Sequence, residues 1–436
     1  MSDNKDVIII GAGVIGAATA FELAKQGYRT LSVDANAEAG HGSTSGSCAI
    51  IRVHYSTLDG TALAWEAYHD WRDWPGYLGV ADERGLAEYR ELGCLVMKTE
   101  QNGYMKKHVA ICAQLGIPCE EWDEEQILSR LPNYRLDRFH PARRQQDEGF
   151  GEPTGGRVEG AVFFPTAGYV SDPALSAHNL QRAAESQGGE FLFNARVVQI
   201  LRRDGCVAGV ELADGRQIAA PVVINVAGPA SRKVNELAGV TDDMTINTRA
   251  LRQEVVHVPA PRGHFAEAGG LVVSDSDVAL YCRPEGDDHL LIGSEDPPCD
   301  EHVWVDDPDD DAWREFSEQS RLQAMRMAQR VPGLGVPNRP RGVVDLYDVS
   351  DDWIPIYDKS CLPGFYMACG SSGNQYKNAS VAGRMMAALV DYCEAGNDHD
   401  SAPLQLDLPR SDYRLDVGFF SRRRQINADS SFSVLG

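Results

Sequence analysis

Val7 to Asp34 reads VIIIGAGVIGAATAFELAKQGYRTLSVD, which is a short apolar strand, a glycine-rich turn, a helix of small residues and a second strand. Gly11, Gly13 and Gly16 complete the pattern G-x-G-x-x-G, which permits a tight turn, close approach of a pyrophosphate, and close packing of helix on strand. Asp34 follows about 20 residues later, where a carboxylate accepts hydrogen bonds from ribose hydroxyls. The stretch therefore predicts a Rossmann-like dinucleotide site, and its acidic end disfavours NADP.

A second strand–glycine–helix unit lies near the other end of the chain. Gly364 to Val390 reads GFYMACGSSGNQYKNASVAGRMMAALV, in which apolar residues lead into glycines and then into a helix of small residues. One such unit indicates a dinucleotide. Two units separated by most of the chain predict a flavoprotein whose FAD is bound by both.

Composition and charge exclude several classes of protein. The 436 residues are enough for two domains, and the net charge of −23 argues against nucleic acid as a partner. The ten cysteines include no C-x-x-C pair, which argues against a zinc site and a disulfide framework. We see no leader peptide and no apolar run as long as a membrane span. We therefore expect a soluble, cytoplasmic protein without a metal.

Strand-rich segments interrupt the nucleotide-binding segments, so we predict an α/β fold (α+β mixed) with a Rossmann-like FAD-binding domain and an interleaved, antiparallel-sheet substrate domain. The FAD-binding domain is assigned residues 1–87, 161–246 and 343–436, and the substrate domain is assigned residues 88–160 and 247–342. We predict a helix from Ala312 to Arg330. The acidic run from Asp306 to Asp311 is interpreted as a solvated loop, and residues 145–158 as a surface insertion or flap whose role stays open.

Six segments, in order along nearly the whole chain, resemble one family. They are the N-terminal fingerprint, GSTSGSCAIIR (42–52), PTAGYVSDP (165–173), VINVAG (223–228), YCRPEGDDHLLIG (281–293) and GSSGNQYK (370–377). With them the chain resembles the FAD-dependent D-amino-acid oxidase and sarcosine oxidase superfamily, within the branch of sarcosine oxidase, dimethylglycine dehydrogenase and iminodiacetate oxidase-like enzymes.

The resemblance implies a set of FAD-binding residues at both ends of the chain. They are Gly11, Ala12, Gly13, Val14, Ile15, Gly16, Asp34, Ala35, Ser43, Thr44, Ser45, Val197, Ala227, Gly228, Ser372, Gly373, Asn374 and Gln375.

The resemblance also implies residues that bind an amino-acid substrate. Arg52 and Lys377 match the family's arginine and lysine that hold the substrate carboxylate, for which a planar guanidinium and a point charge are suited. A structural ion pair or an FAD contact is the alternative for Arg52, and a surface helix lysine is the alternative for Lys377. Tyr281 and Tyr347 match substrate-facing tyrosines, although buried tyrosines that only fill the core remain the alternative.

Arg283 follows Tyr281 at a spacing of two, so both side chains would share one face of a strand. If that face lines the site, Arg283 would hold a second carboxylate, which favours iminodiacetate-like substrates over sarcosine. His54, just past Arg52, could tune protonation of the amine, although a structural histidine is the simpler interpretation.

Three positions depart from the family pattern. Gly46 and Asp345 stand where dimethylglycine dehydrogenases and monomeric sarcosine oxidases carry the histidine and the cysteine that tether FAD, so we expect non-covalent FAD. Leu291 stands where monomeric sarcosine oxidases place a lysine that assists electron transfer to oxygen. Oxygen is therefore only slightly favoured over another compound as the electron acceptor.

These observations predict an FAD-dependent oxidase of a small secondary or tertiary amino acid such as sarcosine or iminodiacetate. A hydride would pass to the flavin, and water would hydrolyse the resulting imine. The alternatives are a dehydrogenase of the same substrate class, a hydroxyacid oxidoreductase, and an FAD-bearing subunit of a larger complex. The oligomeric state stays open.

Overall fold

The first strand, Val7–Ile10 (β1), is buried in the middle of a sheet that is parallel except for its edge strand Ile356–Lys359. It pairs in parallel with Thr30–Val33 (β2) on one side and with Val222–Asn225 on the other. The computed structural model describes residues 5–103, 105–265, 270–286 and 288–436. In it, six strands form this sheet in the order Ile356–Lys359, Phe365–Cys369, Val222–Asn225, Val7–Ile10, Thr30–Val33 and Glu190–Leu192.

A larger, mostly antiparallel sheet forms the second layer of structure. Its strands follow the order Trp304–Val305, Thr248–Pro259, His289–Ser294, Leu280–Glu285, Val272–Asp275, Cys94–Met97, Ala161–Phe164 and Glu120–Trp122, and Gly342–Ser350 also pairs with Thr248–Pro259. The smaller sheets are Val197–Arg203 with Cys206–Leu212 and Gln217–Ala219, Ile50–Ile51 with Gly168–Val170 and Tyr89–Glu91, and Gln405–Leu408 with Tyr413–Asp416.

The helix that follows β1, Val14–Lys25 (α1), packs between two other helices, Pro173–Ser186 and Ala379–Glu394. Small side chains on α1 allow this close packing, since Ala17, Ala18 and Ala20 are fully buried. The other α-helices are Leu58–Arg72, Trp74–Leu78, Met105–Gln114, Glu124–Arg130, Ser231–Leu237 and Glu318–Arg330. None of the helices in the described part of the chain combines the length and hydrophobicity needed to cross a lipid bilayer.

The predicted α/β fold class is confirmed, while details of the elements differ. The helix predicted from Ala312 starts instead at Glu318, because Ser317 caps it by accepting a hydrogen bond from the Gln319 N–H. A separate 3₁₀ turn, Asp311–Arg314, precedes it. The domain boundaries stay a prediction, and Ala161–Phe164, assigned to the FAD-binding domain, pairs within the larger sheet.

Candidate active site

A cavity of about 440 Å³ is lined by residues from both large sheets. The six-stranded sheet contributes Ile10, Val33 and Ala368, and the nine-stranded sheet contributes residues such as Ser274 and Tyr281. The cavity therefore joins the glycine-rich turn after β1 to the side chains predicted to bind substrate.

The glycine-rich turn has the geometry that its sequence predicts. Gly11 adopts a φ of +110°, and a Cβ there would lie 2.3 Å from the carbonyl oxygen of Val226. A Cβ on Gly16 would lie 2.1 Å from the Gly11 oxygen, so only glycine lets α1 approach β1 this closely. Gly13 begins α1 without a side-chain cap, while Thr44 Oγ1 accepts from Val14 N at 3.1 Å. This helix terminus suits a phosphate.

Asp34 fixes the turn from the end of β2. Its Oδ2 accepts a hydrogen bond from Ala12 N at 2.7 Å, and its Oδ1 accepts from Asn36 N at 2.8 Å. Asp34 also lines the cavity, so its remaining lone pairs are available to ribose hydroxyls.

Most of the predicted cofactor residues line the same cavity. They are Gly11, Gly13, Val14, Ile15, Gly16, Asp34, Ala35, Ser43, Thr44, Ser45, Val197, Ala227, Gly228, Gly373 and Gln375. Ala12, Ser372 and Asn374 lie behind the surface of the cavity. Ser372 Oγ donates to the Gly370 oxygen and accepts from Ser350 N, so it shapes the C-terminal glycine loop.

Arg52 and Lys377 are brought together around one tyrosine, although 325 positions separate them in sequence. The Arg52 guanidinium lies 4.8 Å from the centre of the Tyr55 ring, and Lys377 Nζ lies 5.3 Å from it. Arg52 donates to the carbonyl oxygens of His54 at 2.5 Å and Val434 at 2.8 Å. Lys377 Nζ donates to Tyr55 Oη at 3.1 Å and to the Asn374 oxygen at 2.8 Å.

Both basic side chains are buried, and among the described residues neither has a carboxylate within ion-pair distance. Burial, and then the charge of Arg52, holds the pKa of Lys377 well below its usual range. Burial and the charges of Arg52 and Lys377 also hold the pKa of His54 well below its usual range, so His54 is neutral. A buried positive charge without a counter-ion is costly. The cavity is therefore electrostatically suited to bind an anion.

Tyr281 and Tyr347 face each other in the cavity, with their hydroxyl oxygens 3.3 Å apart. Burial raises the pKa of both phenols, so both stay protonated. They can therefore donate hydrogen bonds without adding charge. Cys48 Sγ lies 3.8 Å from Tyr281 Oη.

Arg283 is not brought to the cavity. Its Nε donates to the Cys48 oxygen at 2.6 Å, one terminal nitrogen pairs with Glu285, and the guanidinium stacks 4.2 Å from the centre of the Tyr169 ring. These contacts occupy the side chain that the sequence hypothesis assigned to a second carboxylate. Its spacing from Tyr281 placed both residues on one strand face but did not show what lies against each side chain.

The sequence interpretation missed two segments that line the cavity. Val434 and Leu435, close to the C-terminal end of the chain, contribute to its wall. Pro308 and Asp309, in the acidic run interpreted as a solvated loop, also line it. Neither segment shows a periodic pattern, so no signal in the sequence distinguishes them from ordinary surface loops.

The chain is similar to known proteins in both sequence and fold. A family model described as DAO, FAD dependent oxidoreductase, matches residues 6–389. Peroxisomal sarcosine oxidase of Mus musculus is 28% identical over 423 residues, which cover 93% of this chain and 96% of the relative.

Two solved structures share the fold across their whole length. L-proline dehydrogenase from P. horikoshii has a TM-score of 0.75 at 18% identity, with 97% of this chain and 98% of that chain covered. Glycine oxidase from Geobacillus kaustophilus has a TM-score of 0.73 at 20% identity, with 98% of this chain and 100% of that chain covered.

Proposed function

The chain belongs to the DAO family of FAD-dependent oxidoreductases, and from this premise we propose that it oxidises a small N-substituted amino acid such as sarcosine. The predicted family and its FAD cofactor are confirmed by the family match. The substrate is inferred from one observation above all, which is the pair of buried basic side chains, Arg52 and Lys377, that share a cavity and lack a carboxylate partner among the described residues.

FAD fits the cavity on the evidence of the chain itself. The first turn of α1, where Gly13 provides no side-chain cap and Thr44 Oγ1 binds the Val14 N–H, suits the pyrophosphate, and the Asp34 carboxylate suits a ribose. Gln375 and Gly373, from the C-terminal glycine loop, line the cavity together with the N-terminal turn. The two ends of the sequence would therefore hold one cofactor.

Different side chains would bind and orient an amino-acid substrate. Arg52 and Lys377 would hold its carboxylate through charge-assisted hydrogen bonds, and the phenols of Tyr281 and Tyr347 would orient it. Bound FAD supplies the acceptor for the hydride that leaves the carbon attached to nitrogen. The substrate nitrogen loses a proton, and water then hydrolyses the imine to a carbonyl compound and a shorter amine. Since His54 is neutral, a ring nitrogen that carries no proton can accept a hydrogen bond.

We propose that the FAD is held without a covalent bond. Gly46 and Asp345 both line the cavity, and a Cβ on Gly46 would lie 2.2 Å from Asp345 Oδ2. Neither residue carries an imidazole or a thiol that could bond the flavin, and Asp345 fills the space where a side chain at 46 would have to stand. Acid precipitation is expected to leave all yellow colour in the supernatant. Colour that stays with the protein contradicts this proposal.

Oxygen is the proposed acceptor, with a dehydrogenase as the second candidate. The observation that favours the dehydrogenase is Leu291, an apolar residue that stands where monomeric sarcosine oxidases carry a lysine. Leu291 lies in the strand His289–Ser294, outside the lining of the cavity.

The test is anaerobic bleaching of the visible flavin band by sarcosine, dimethylglycine, iminodiacetate, proline, glycine and D-alanine, with 2-hydroxyglutarate as a control acid. Rapid bleaching by an N-substituted glycine is expected. Return of the band on admitting air supports an oxidase, while a bleached band that recovers only with an artificial acceptor supports a dehydrogenase. Bleaching by 2-hydroxyglutarate alone, or by none of the compounds, overturns the proposed substrate class.

A further inference from the structure

The segment Ser431–Gly436 runs from exposed Phe432 into the wall of the cavity. Val434 is only 9% exposed, and Val434 and Leu435 both line the cavity. The Val434 carbonyl oxygen accepts from Arg52 at 2.8 Å, and the Gly436 oxygen accepts from Ser56 N at 3.0 Å. The segment is thus fixed by two hydrogen bonds to the stretch of chain that carries Arg52.

The same segment touches the carboxylate-binding residues a second time, through Tyr55. A Cβ on Gly436 would lie 2.2 Å from Tyr55 Cδ1, so the backbone there packs directly on the ring. That ring lies against the Arg52 guanidinium, and its hydroxyl oxygen accepts a hydrogen bond from Lys377 Nζ. The segment therefore contacts Arg52 directly and Lys377 through a shared ring.

Apolar contacts place the segment beside the two cavity tyrosines. Val434 belongs to a small buried cluster with Leu251, Val349 and Trp353. Tyr281, Tyr347 and Leu435 pack against this cluster. Leu435 and the two phenols that we assign to the substrate are therefore supported by the same side chains.

We propose that Ser431–Gly436 is a specificity-determining wall of the substrate cavity. The inference rests on the proposed function in one respect, which is that the cavity binds the carboxylate of an amino acid. The Val434 oxygen occupies one terminal nitrogen of Arg52, the His54 oxygen occupies the other, and together they fix the direction in which the remaining N–H donors point. The Leu435 side chain fills volume next to that carboxylate site, which selects ligands with small substituents against bulky ones.

The test measures ligand binding to the FAD-loaded protein rather than turnover. Dissociation constants for acetate and for cyclohexanecarboxylate are obtained from the change in visible flavin absorbance. Leu435→Ala is expected to raise the affinity for cyclohexanecarboxylate relative to acetate by about 10-fold or more, since small changes in an apolar pocket have effects of this size. Leu435→Phe should shift the same ratio in the opposite direction. Phe432→Ala is the matched control, because Phe432 belongs to the segment but is 45% exposed.

An unchanged affinity ratio in both Leu435 variants overturns the inference, as does a wild-type protein that binds neither acid. Thermal unfolding and flavin content show whether each variant is folded. If one Leu435 variant fails to fold, the other still decides, because the two variants have opposite expected signs. Failure of the proposed function is a separate outcome. A shifted affinity ratio of the two acids, without bleaching of the flavin by any amine, supports the wall and overturns the substrate class. Bleaching by sarcosine with an unchanged affinity ratio supports the substrate class and overturns the wall.

Discussion

Lys377 is a buried basic residue whose charged form a bound anion would stabilise. Its ammonium group donates to Tyr55 Oη and to the Asn374 oxygen and lacks a carboxylate partner among the described residues. Lys377→Met keeps the length of the side chain and removes the charge. Loss of one charge-assisted hydrogen bond should weaken acetate binding by about 10- to 100-fold. Lys359→Met is the control, since Lys359 pairs with carboxylates elsewhere.

The pH dependence of acetate binding gives a second measure of Lys377. Because burial lowers the pKa of Lys377, its charge is lost at a lower pH than that of an ordinary lysine. Acetate affinity in the wild type should therefore fall as the pH rises, and the fall should begin at a lower pH than the range in which an ordinary lysine loses its proton. Lys377→Met should lack this fall. An identical pH profile in both proteins would show that another group binds the carboxylate.

Glu295 is a buried carboxyl group behind the cavity, and it predicts a pH effect on stability. Its two oxygens accept from Ser274 Oγ at 2.6 Å and Ser276 Oγ at 2.8 Å, and burial raises its pKa to about 7. A pKa raised on folding means that the protonated form is favoured in the folded state, so stability falls as the pH rises from about 4.5 through about 7.

Glu295→Gln removes this titration while keeping a polar side chain of similar shape. The melting temperature of the variant should therefore exceed that of the wild type at pH 8, while the difference should shrink at pH 5. Glu301→Gln, at an exposed position in the same part of the chain, is the control. A variant that is less stable than the wild type at pH 8 would show that the ionised carboxylate is stabilised in the fold, for example by the charge of Arg52.

At the scale of elements, the acidic segment 306–314 folds over the cavity. Asp309 pairs with Arg196 at 2.8 Å and with Lys233 at 3.1 Å, and Asp307 also pairs with Lys233. Arg196 precedes Val197, which we predict to contact FAD, and Asp309 itself lines the cavity. The segment therefore connects the sheet that carries Trp304–Val305 to the side of the cavity where the cofactor residues lie.

Weakening this connection should speed the loss of FAD. The ion pairs are partly exposed, and pairs of this kind contribute about 0.2–1 kcal/mol, so Asp309→Asn should accelerate FAD release by about 2- to 5-fold at low salt. The difference should vanish at high salt because of screening. Release is followed by the rise of free-flavin fluorescence. Asp306→Asn makes the same change of charge at an exposed neighbour, and an equal effect there would contradict a specific role for Asp309.

The elements differ in how far the sequence predicts them. The strand, turn and helix from β1 to α1 were predicted because their determinants are local: a continuous apolar run, glycines and a terminal aspartate. The position of the acidic segment was not predicted, because Asp309 and Asp307 pair with Arg196 and Lys233, which lie 113 and 74 positions away, and no pattern in the sequence links them. The Arg52–Val434 hydrogen bond spans 382 positions. Its acceptor is a backbone carbonyl, which every residue type carries, so no residue in the sequence indicates this bond.

At the scale of the whole molecule, the two ends of the chain form one site. α1 packs on the helix Ala379–Glu394, and a Cβ on Gly383 would lie 2.7 Å from the backbone of Ala18. The resemblance predicted that Arg52 and Lys377 would meet, and the packing of these helices explains how they do. The wall formed by Ser431–Gly436 likewise requires the last residues of the sequence to pack against the segment that carries Arg52.

The net charge of −23 predicts how the reduced protein reacts with charged electron acceptors. At an ionic strength of 0.01 M the Debye length is about 30 Å, so the field of the whole protein repels an anionic acceptor and attracts a cationic one. Reoxidation by ferricyanide should therefore accelerate as salt is added, and reoxidation by a cationic ferrocenium derivative should slow. Both rates are measured by stopped flow at constant pH, and a neutral quinone is the control. A ferricyanide rate that falls with added salt would show that Arg52 and Lys377, although buried, dominate the field at the mouth of the cavity. The two positive charges would then steer anions to the site against the charge of the rest of the protein.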